Sequence, residues 1–140
     1  MSPRRPRLIH LMSLAQHRLL KTTDTAFGET LRITATQLGV LFILERRPGA
    51  LPKEVSEALG INKSALTGLI DRMEVAGLVR RQPSSDDGRV VHLHATPEGL
   101  VKAAAARPIL ARLNARLMDG FSEREIATVG RFLQSIVERF

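Results

Sequence analysis

The sequence predicts a mainly α-helical chain that carries one small β-hairpin. Three observations lead there. Apolar residues recur at helical spacing over most of the 140 residues. That spacing gives way to strand-like alternation only between about Leu78 and Ala95, on either side of a turn-rich stretch. Finally, capping residues, prolines and glycines stand where such helices would start and stop. With 44% hydrophobic and 25% charged residues, the chain has the makings of one globular domain over residues 1–140.

Residues 1–7 hold Pro3, Pro6 and three arginines, Arg4, Arg5 and Arg7, and read as a flexible tail. A first helix is expected from about Leu8 to Phe27, where Leu8, Leu11, Met12, Ala15, Leu19 and Leu20 share one face. A second runs from about Thr36 to Arg47, capped by Thr34 or Thr36; Arg46 and Arg47 suit its dipole and Pro48-Gly49 ends it. A short helix follows from Pro52 to Leu59, with Pro52 at its first position and Gly60 as the turn after it. Asn62 caps the next, from Lys63 to Ala76, whose Leu66, Leu69, Ile70 and Met73 fall at i, i+3, i+4 and i+7. Gly77 closes it.

Leu78 to Arg81 and Arg89 to Ala95 read as two strands, joined by the polar turn Gln82 to Gly88. Thr96-Pro97-Glu98 combines a cap, a first-position proline and an early acid. It starts a helix that reaches about Met118, with a kink or break expected at Pro108. Asp119-Gly120 ends that helix. Ser122 and Glu125 make a capping box for a last one, whose stripe is Ile126, Val129, Leu133, Ile136, Val137 and Phe140.

A short helix, a glycine turn, a capped helix and a hairpin in that order describe a winged helix-turn-helix, over about residues 34–96. On a helical wheel the face opposite Leu66 and Met73 carries Ser64, Thr67, Gly68, Asp71, Arg72 and Val75. Its first half is small and polar, which suits entry into a major groove, where hydroxyls bond base edges or phosphates. Gly68 costs about 1 kcal/mol relative to Ala in a helix interior, which close backbone approach to DNA would explain; the alternative is a glycine the fold tolerates. Asp71 would repel phosphate unless paired, so a bridge to Arg81 or Arg72 is expected.

Composition narrows the function. Lys and Arg number 21 against 14 acids, a net charge of +7 that points to a polyanionic partner. The excess is not concentrated in the winged part: residues 62–96 hold five bases and four acids, net +1. With no Cys, thiol redox sensing, disulfides and thiolate metal sites are ruled out. With no Trp or Tyr, a stacking platform for single strands is disfavoured. No apolar run approaches 18 residues and no signal-peptide pattern is present, so no membrane association and a cytoplasmic location are expected. No phosphate-binding glycine loop, metalloprotease helix or nucleophile elbow appears, so the chain is not read as an enzyme and no cofactor is expected.

The block Leu51 to Arg80, with Leu69-x-Asp71-Arg72-Met73-Glu74-x-x-Gly77-Leu78-Val79-x-Arg81, then Asp87-Gly88-Arg89 and Thr96-Pro97-Glu98-Gly99, resembles the MarR family of bacterial transcription regulators. The resemblance extends over nearly the whole chain. It implies homodimers whose recognition helices enter successive major grooves, a wing whose Arg89 reaches the minor groove beside Asp87, and a pocket for a small lipophilic or phenolic effector. Three positions depart from the family pattern: Gly68 where many members carry a long polar residue, Pro52 in place of a Ser or Thr cap, and Ala95 in place of Leu.

The expected DNA-binding residues are therefore Asn62, Lys63, Ser64, Thr67, Gly68, Arg72, Asp87 and Arg89. For each a plainer role exists: helix capping for Ser64 and Thr67, solvated charge for Lys63 and Arg72, a local ion pair for Arg89. His10 with His17, and His92 with His94 on the wing, are spaced to share a metal but lack further ligands, so no metal site is expected. The apolar faces of Leu8–Leu20, Leu110–Leu117 and Ile126–Phe140 lie outside the winged core and need cover, which a second copy supplies through a two-fold interface. The sequence thus reads as a homodimeric repressor of a pseudo-palindromic operator in double-stranded DNA, released by a small ligand. A non-specific basic DNA-binding protein and a winged protein-interaction module are the alternatives.

Overall fold

The computed structural model describes residues 4–140. Helices α1 (Leu8–Leu31), α2 (Ala35–Arg46), α3 (Pro52–Leu59) and α4 (Lys63–Val75) are followed by strands β1 (Val79–Pro83) and β2 (Val91–Ala95), then by α5 (Pro97–Met118) and α6 (Glu123–Arg139). The chain divides into two compact units, one extending to Ile109 and the other Leu110–Phe140.

In the first unit α1 runs four residues past the expected end at Phe27. Phe27 itself is fully buried, and Lys102 Nζ donates to the Leu31 carbonyl at 2.7 Å, supplying a partner that a helix end otherwise lacks. Arg32 stops the helix in a left-handed conformation (φ 55°). Thr34, not Thr36, caps α2: its hydroxyl accepts from the Gln37 N–H at 3.1 Å while Gln37 Oε1 accepts from the Thr34 N–H at 3.0 Å. Asp24 adds a third bond at this corner, accepting from the Ala35 N–H at 2.6 Å.

The core gathers Leu41 and Leu44 of α2, Val55 of α3, Leu66, Ile70 and Met73 of α4, and Leu78, Val79 and Leu93 of the hairpin, all essentially inaccessible. Sheet register pairs Val79 with Ala95, Arg81 with Leu93 and Pro83 with Val91. A third short segment joins the sheet: Leu93 donates to the Ala50 carbonyl and Gly49 to the Leu93 carbonyl, both at 2.9 Å. Gly99 is required by space. A Cβ there would stand 2.3 Å from the Leu78 carbonyl oxygen, so α5 leaves the hairpin with its backbone against that of Leu78.

Strand limits differ from expectation for a hydrogen-bonding reason. Leu78 spends its N–H on the Met73 carbonyl at 2.9 Å, finishing α4 rather than starting β1. At the other strand, Val90 donates to Asp87 (3.0 Å) and accepts from Ser84 (2.8 Å), so Arg89 and Val90 belong to the loop. Helix α5 is not broken at Pro108. The preceding Ala103 and Ala106 are fully buried, so packing holds the helix where propensity alone would interrupt it.

In the second unit, the end of α5 turns at Gly120 (φ 85°) into α6. Ser122 Oγ accepts from the Glu125 N–H at 3.1 Å and Glu125 Oε1 accepts from the Ser122 N–H at 3.0 Å, the expected capping box. The Ser122 backbone N–H first, and the Ser122 hydroxyl second, lower the pKa of the Glu125 carboxyl. No residue of α6 is buried, and its apolar stripe is left open, Val137 at 75% exposure.

Candidate nucleic-acid interface

Helices α3 and α4 are set by their joint. Glu54 Oε1 accepts from the Leu51 N–H at 3.0 Å at the start of α3, and Gly60 ends it in a left-handed turn (φ 66°). Asn62 then opens α4, its Oδ1 accepting from the Ala65 N–H at 2.7 Å. The inward stripe of α4 is buried at Leu66, Leu69, Ile70 and Met73. Burial of that stripe turns the opposite face to solvent.

Five of the eight expected residues, Asn62, Lys63, Ser64, Thr67 and Arg72, are exposed on this unit, and Gly68 is half-exposed. They are tied together locally. Ser64 Oγ donates to Asn62 Oδ1 at 2.9 Å, and Thr67 Oγ1 donates to the Lys63 carbonyl at 2.9 Å. A Cβ on Gly68 would lie 3.4 Å from Arg72 Nη1, so the guanidinium of Arg72 rests against the glycine. The other two, Asp87 and Arg89, are exposed in the wing loop, where Asp87 Oδ1 accepts from the Arg89 N–H at 3.0 Å. No side-chain hydrogen bond holds the Arg89 guanidinium among the described residues, and none joins the wing-loop pair to the α4 group.

Asp71 meets Arg81 rather than Arg72. Arg81 Nη2 lies 2.6 Å from Asp71 Oδ1 and Nη1 lies 3.0 Å from Glu74 Oε1. The hydrogen bond to Asp71 chiefly raises the Arg81 pKa, with added attraction from both carboxylates. One arginine thereby offsets two acids on the helix that carries the polar face. The second acid was not singled out by sequence reasoning; its spacing from Asp71, i to i+3, was the available signal.

The wing histidines are half-buried. His92 Nδ1 lies 2.8 Å from the Gly49 carbonyl oxygen, which pins the hairpin to the turn after α2. His94 has a lowered pKa, from burial first and then from the charges of Arg80 and His92. Among the described residues no group of three or more His, Cys, Asp or Glu is placed to hold a metal ion, and no helix is long and apolar enough to cross a membrane. Arg4, Arg5 and Arg7 precede α1 without regular structure, while residues 1–3 of the expected tail lie outside the described residues. Val75 is 91% exposed, an apolar side chain on the same face of α4 as Ser64 and Thr67.

Comparison with known proteins agrees with this geometry. The sequence pattern of the MarR family matches residues 33–90, from the α2 cap through the wing loop. The multiple antibiotic resistance protein MarR of Salmonella typhimurium is 30% identical over 133 residues, covering 94% of this chain and 89% of the relative. The transcriptional repressor MdtR of Bacillus subtilis is 30% identical over 94 residues, 67% of this chain and 61% of the relative. Among solved structures, BpsR of Bordetella bronchiseptica superposes with a TM-score of 0.88 at 20% identity, over 99% of this chain and 100% of that one, a likeness of fold. A relative 30% identical and covered over 89% of its length, together with the matching family pattern, places the chain in the MarR family.

Proposed function

We propose that this chain is a sequence-specific transcriptional regulator that binds a pseudo-palindromic operator in double-stranded DNA as a homodimer, represses, and is released by a small lipophilic or phenolic ligand. The observation that carries it is α4: its apolar stripe is buried while Asn62, Lys63, Ser64, Thr67 and Arg72 are exposed, and the wing loop exposes Arg89. A helix buried along one side and polar along the other, opened by a short turn from α3, fits a recognition helix in a major groove. Asn62, Lys63, Ser64, Thr67, Gly68 and Arg72 are its contacts in this reading, and Asp87 orients the loop for Arg89 to enter the adjacent minor groove.

Open apolar side chains support the dimer. Leu8, Leu11, Leu14 and Leu19 of α1, and Val129, Phe132, Leu133 and Val137 of α6, are exposed in a single copy. An exposed apolar stripe on each of these helices favours an interaction site. In a two-fold dimer the two recognition helices would stand about 34–36 Å apart, one turn of DNA. The two units then work as one regulatory domain, and a protein acting on chromosomal DNA works in the cytoplasm. For the ligand, the support is that DNA binding by BpsR is regulated by 6-hydroxynicotinic acid, a small ring acid.

Selection of bound duplexes from random DNA tests the reading. An inverted repeat with half-sites one turn apart is expected, bound at least 1,000-fold more tightly than a scrambled duplex at matched salt. Equal affinities with equal salt dependence would make the chain a non-specific DNA-coating protein, and no binding to either would make the winged part a protein-contact module.

A further inference from the structure

The hydroxyls of Ser64 and Thr67 face solvent from α4, yet neither has a proton left to give. A serine or threonine hydroxyl has one donor and two acceptor sites. Thr67 Oγ1 lies 2.9 Å from the Lys63 carbonyl oxygen, which can only accept, so the threonine proton is committed there. Ser64 Oγ lies 2.9 Å from Asn62 Oδ1. That atom also receives the Ala65 N–H at 2.7 Å, which identifies it as the amide oxygen, so Ser64 too must donate. What both side chains can offer a ligand is lone pairs.

Major-groove edges present two kinds of group. Purine N7, guanine O6 and thymine O4 accept, whereas adenine N6 and cytosine N4 carry amino protons and donate. Resting on the proposal that α4 is the recognition helix, we infer that Ser64 and Thr67 read amino-bearing base edges, adenine N6 or cytosine N4, and are not donors to purine N7, guanine O6 or thymine O4. Every base pair holds one amino group in the major groove, so the discrimination is by strand. Exchanging A·T for T·A, or C·G for G·C, moves the amino group away from the waiting oxygen and brings an acceptor toward it. Turning a hydroxyl round to donate would break its bond within the helix and, for Ser64, loosen the cap of α4.

Single-atom changes in DNA separate the two polarities. The duplex recovered from the selection would be rebuilt position by position, with purine in place of adenine and 2-pyrimidinone in place of cytosine to delete amino groups, or with 7-deazapurines to delete N7. Binding would be measured for the full-length chain and for its Ser64→Ala and Thr67→Val forms, each first checked by thermal melting. Deleting one amino group in each half-site is expected to weaken the unsubstituted protein by about 10- to 100-fold, the worth of two neutral hydrogen bonds. The same deletion should leave one of the two variants unaffected, while no N7 deletion should show such coupling. Coupling to N7 instead would show the hydroxyls acting as donors and overturn the inference. Coupling to neither class would show that they read no amino-bearing edge, with the same result. In both cases a strong preference for the selected duplex would leave the regulator reading standing; if selection yields no preferred duplex, both fall together.

Discussion

Arg81 is placed where a single substitution changes both stability and charge. It is the shared partner of Asp71 and Glu74, and the pairs are partly open to solvent. Arg81→Ala should therefore lower unfolding free energy by only about 0.5–1 kcal/mol, measured by urea titration. Its effect on DNA should be larger than that loss suggests, because two carboxylates then stand uncompensated on α4. Operator affinity should fall, and Arg81→Ala combined with Asp71→Asn should recover part of it. His94 makes a second residue-scale prediction. Its pKa in the folded chain lies below the ordinary 6.5, from burial and from Arg80 and His92 nearby. The unfolded chain thus takes up this proton more readily, so stability present above about pH 6.5 is lost as the pH falls toward the folded-state pKa. Urea midpoints should drop between pH 7.5 and 5.5, and His94→Asn should make that drop smaller.

At the scale of elements, the proposed interface would make Gly68 set helix stability against DNA contact. A Gly to Ala change inside a helix gains about 1 kcal/mol. Here the new Cβ would meet the guanidinium of Arg72 at 3.4 Å, an ordinary contact distance, so the fold has room for it; in the proposed interface it would stand between the helix backbone and a groove wall. Gly68→Ala should raise the melting temperature while lowering operator affinity roughly tenfold or more, at the scale of one good base contact. If both properties improve, the glycine serves no close approach. Most elements were legible beforehand because their signals are local: Asn62, Ser122 and Pro97 sit at helix starts, Gly60 and Gly77 at helix ends, and each acts within a turn of its own position. What escaped depended on distant partners. The last turn of α1 is completed by Lys102, 71 positions away, and His92 is pinned by Gly49, 43 positions away. Pro108 looked like a break because propensity counts the missing N–H but not the burial of Ala103 and Ala106 around it. The polar face of α4 was visible from periodicity alone. The direction of its hydroxyl protons was not, since that depends on which neighbouring oxygen each side chain finds.

For the whole molecule the unmet requirement is cover for α1 and α6. Leu133 lies in the exposed stripe of α6 and contributes nothing to the buried core. Leu133→Asp should leave the melting of the winged core nearly unchanged and shift the chain from dimer to monomer in light scattering at micromolar concentration. Operator affinity should then fall by roughly 100-fold or more, because a second half-site no longer binds as part of the same particle. The net charge of +7 belongs to this scale as well. On the proposed reading, doubling it in a dimer would speed encounter with DNA of any sequence, whereas choice among sequences would rest on a few positions of α4 and the wing, where the net charge is small.

Thr96 closes the base of the hairpin. Its hydroxyl donates to the Gly77 carbonyl at 2.6 Å and accepts from the Gly99 N–H at 3.0 Å, while its own N–H donates to Leu78 at 3.0 Å. The stretch from Gly77 to Thr96 is therefore closed at its base, and below the paired strands the end of α4 is tied to the start of α5. Lengthening a tied loop is inexpensive, about 0.6 kcal/mol for each doubling. Insertions or deletions around Ser84–Gly88 can alter how far the tip extends without disturbing the helices below, which makes the wing a part that evolution, or an engineer, can resize on its own.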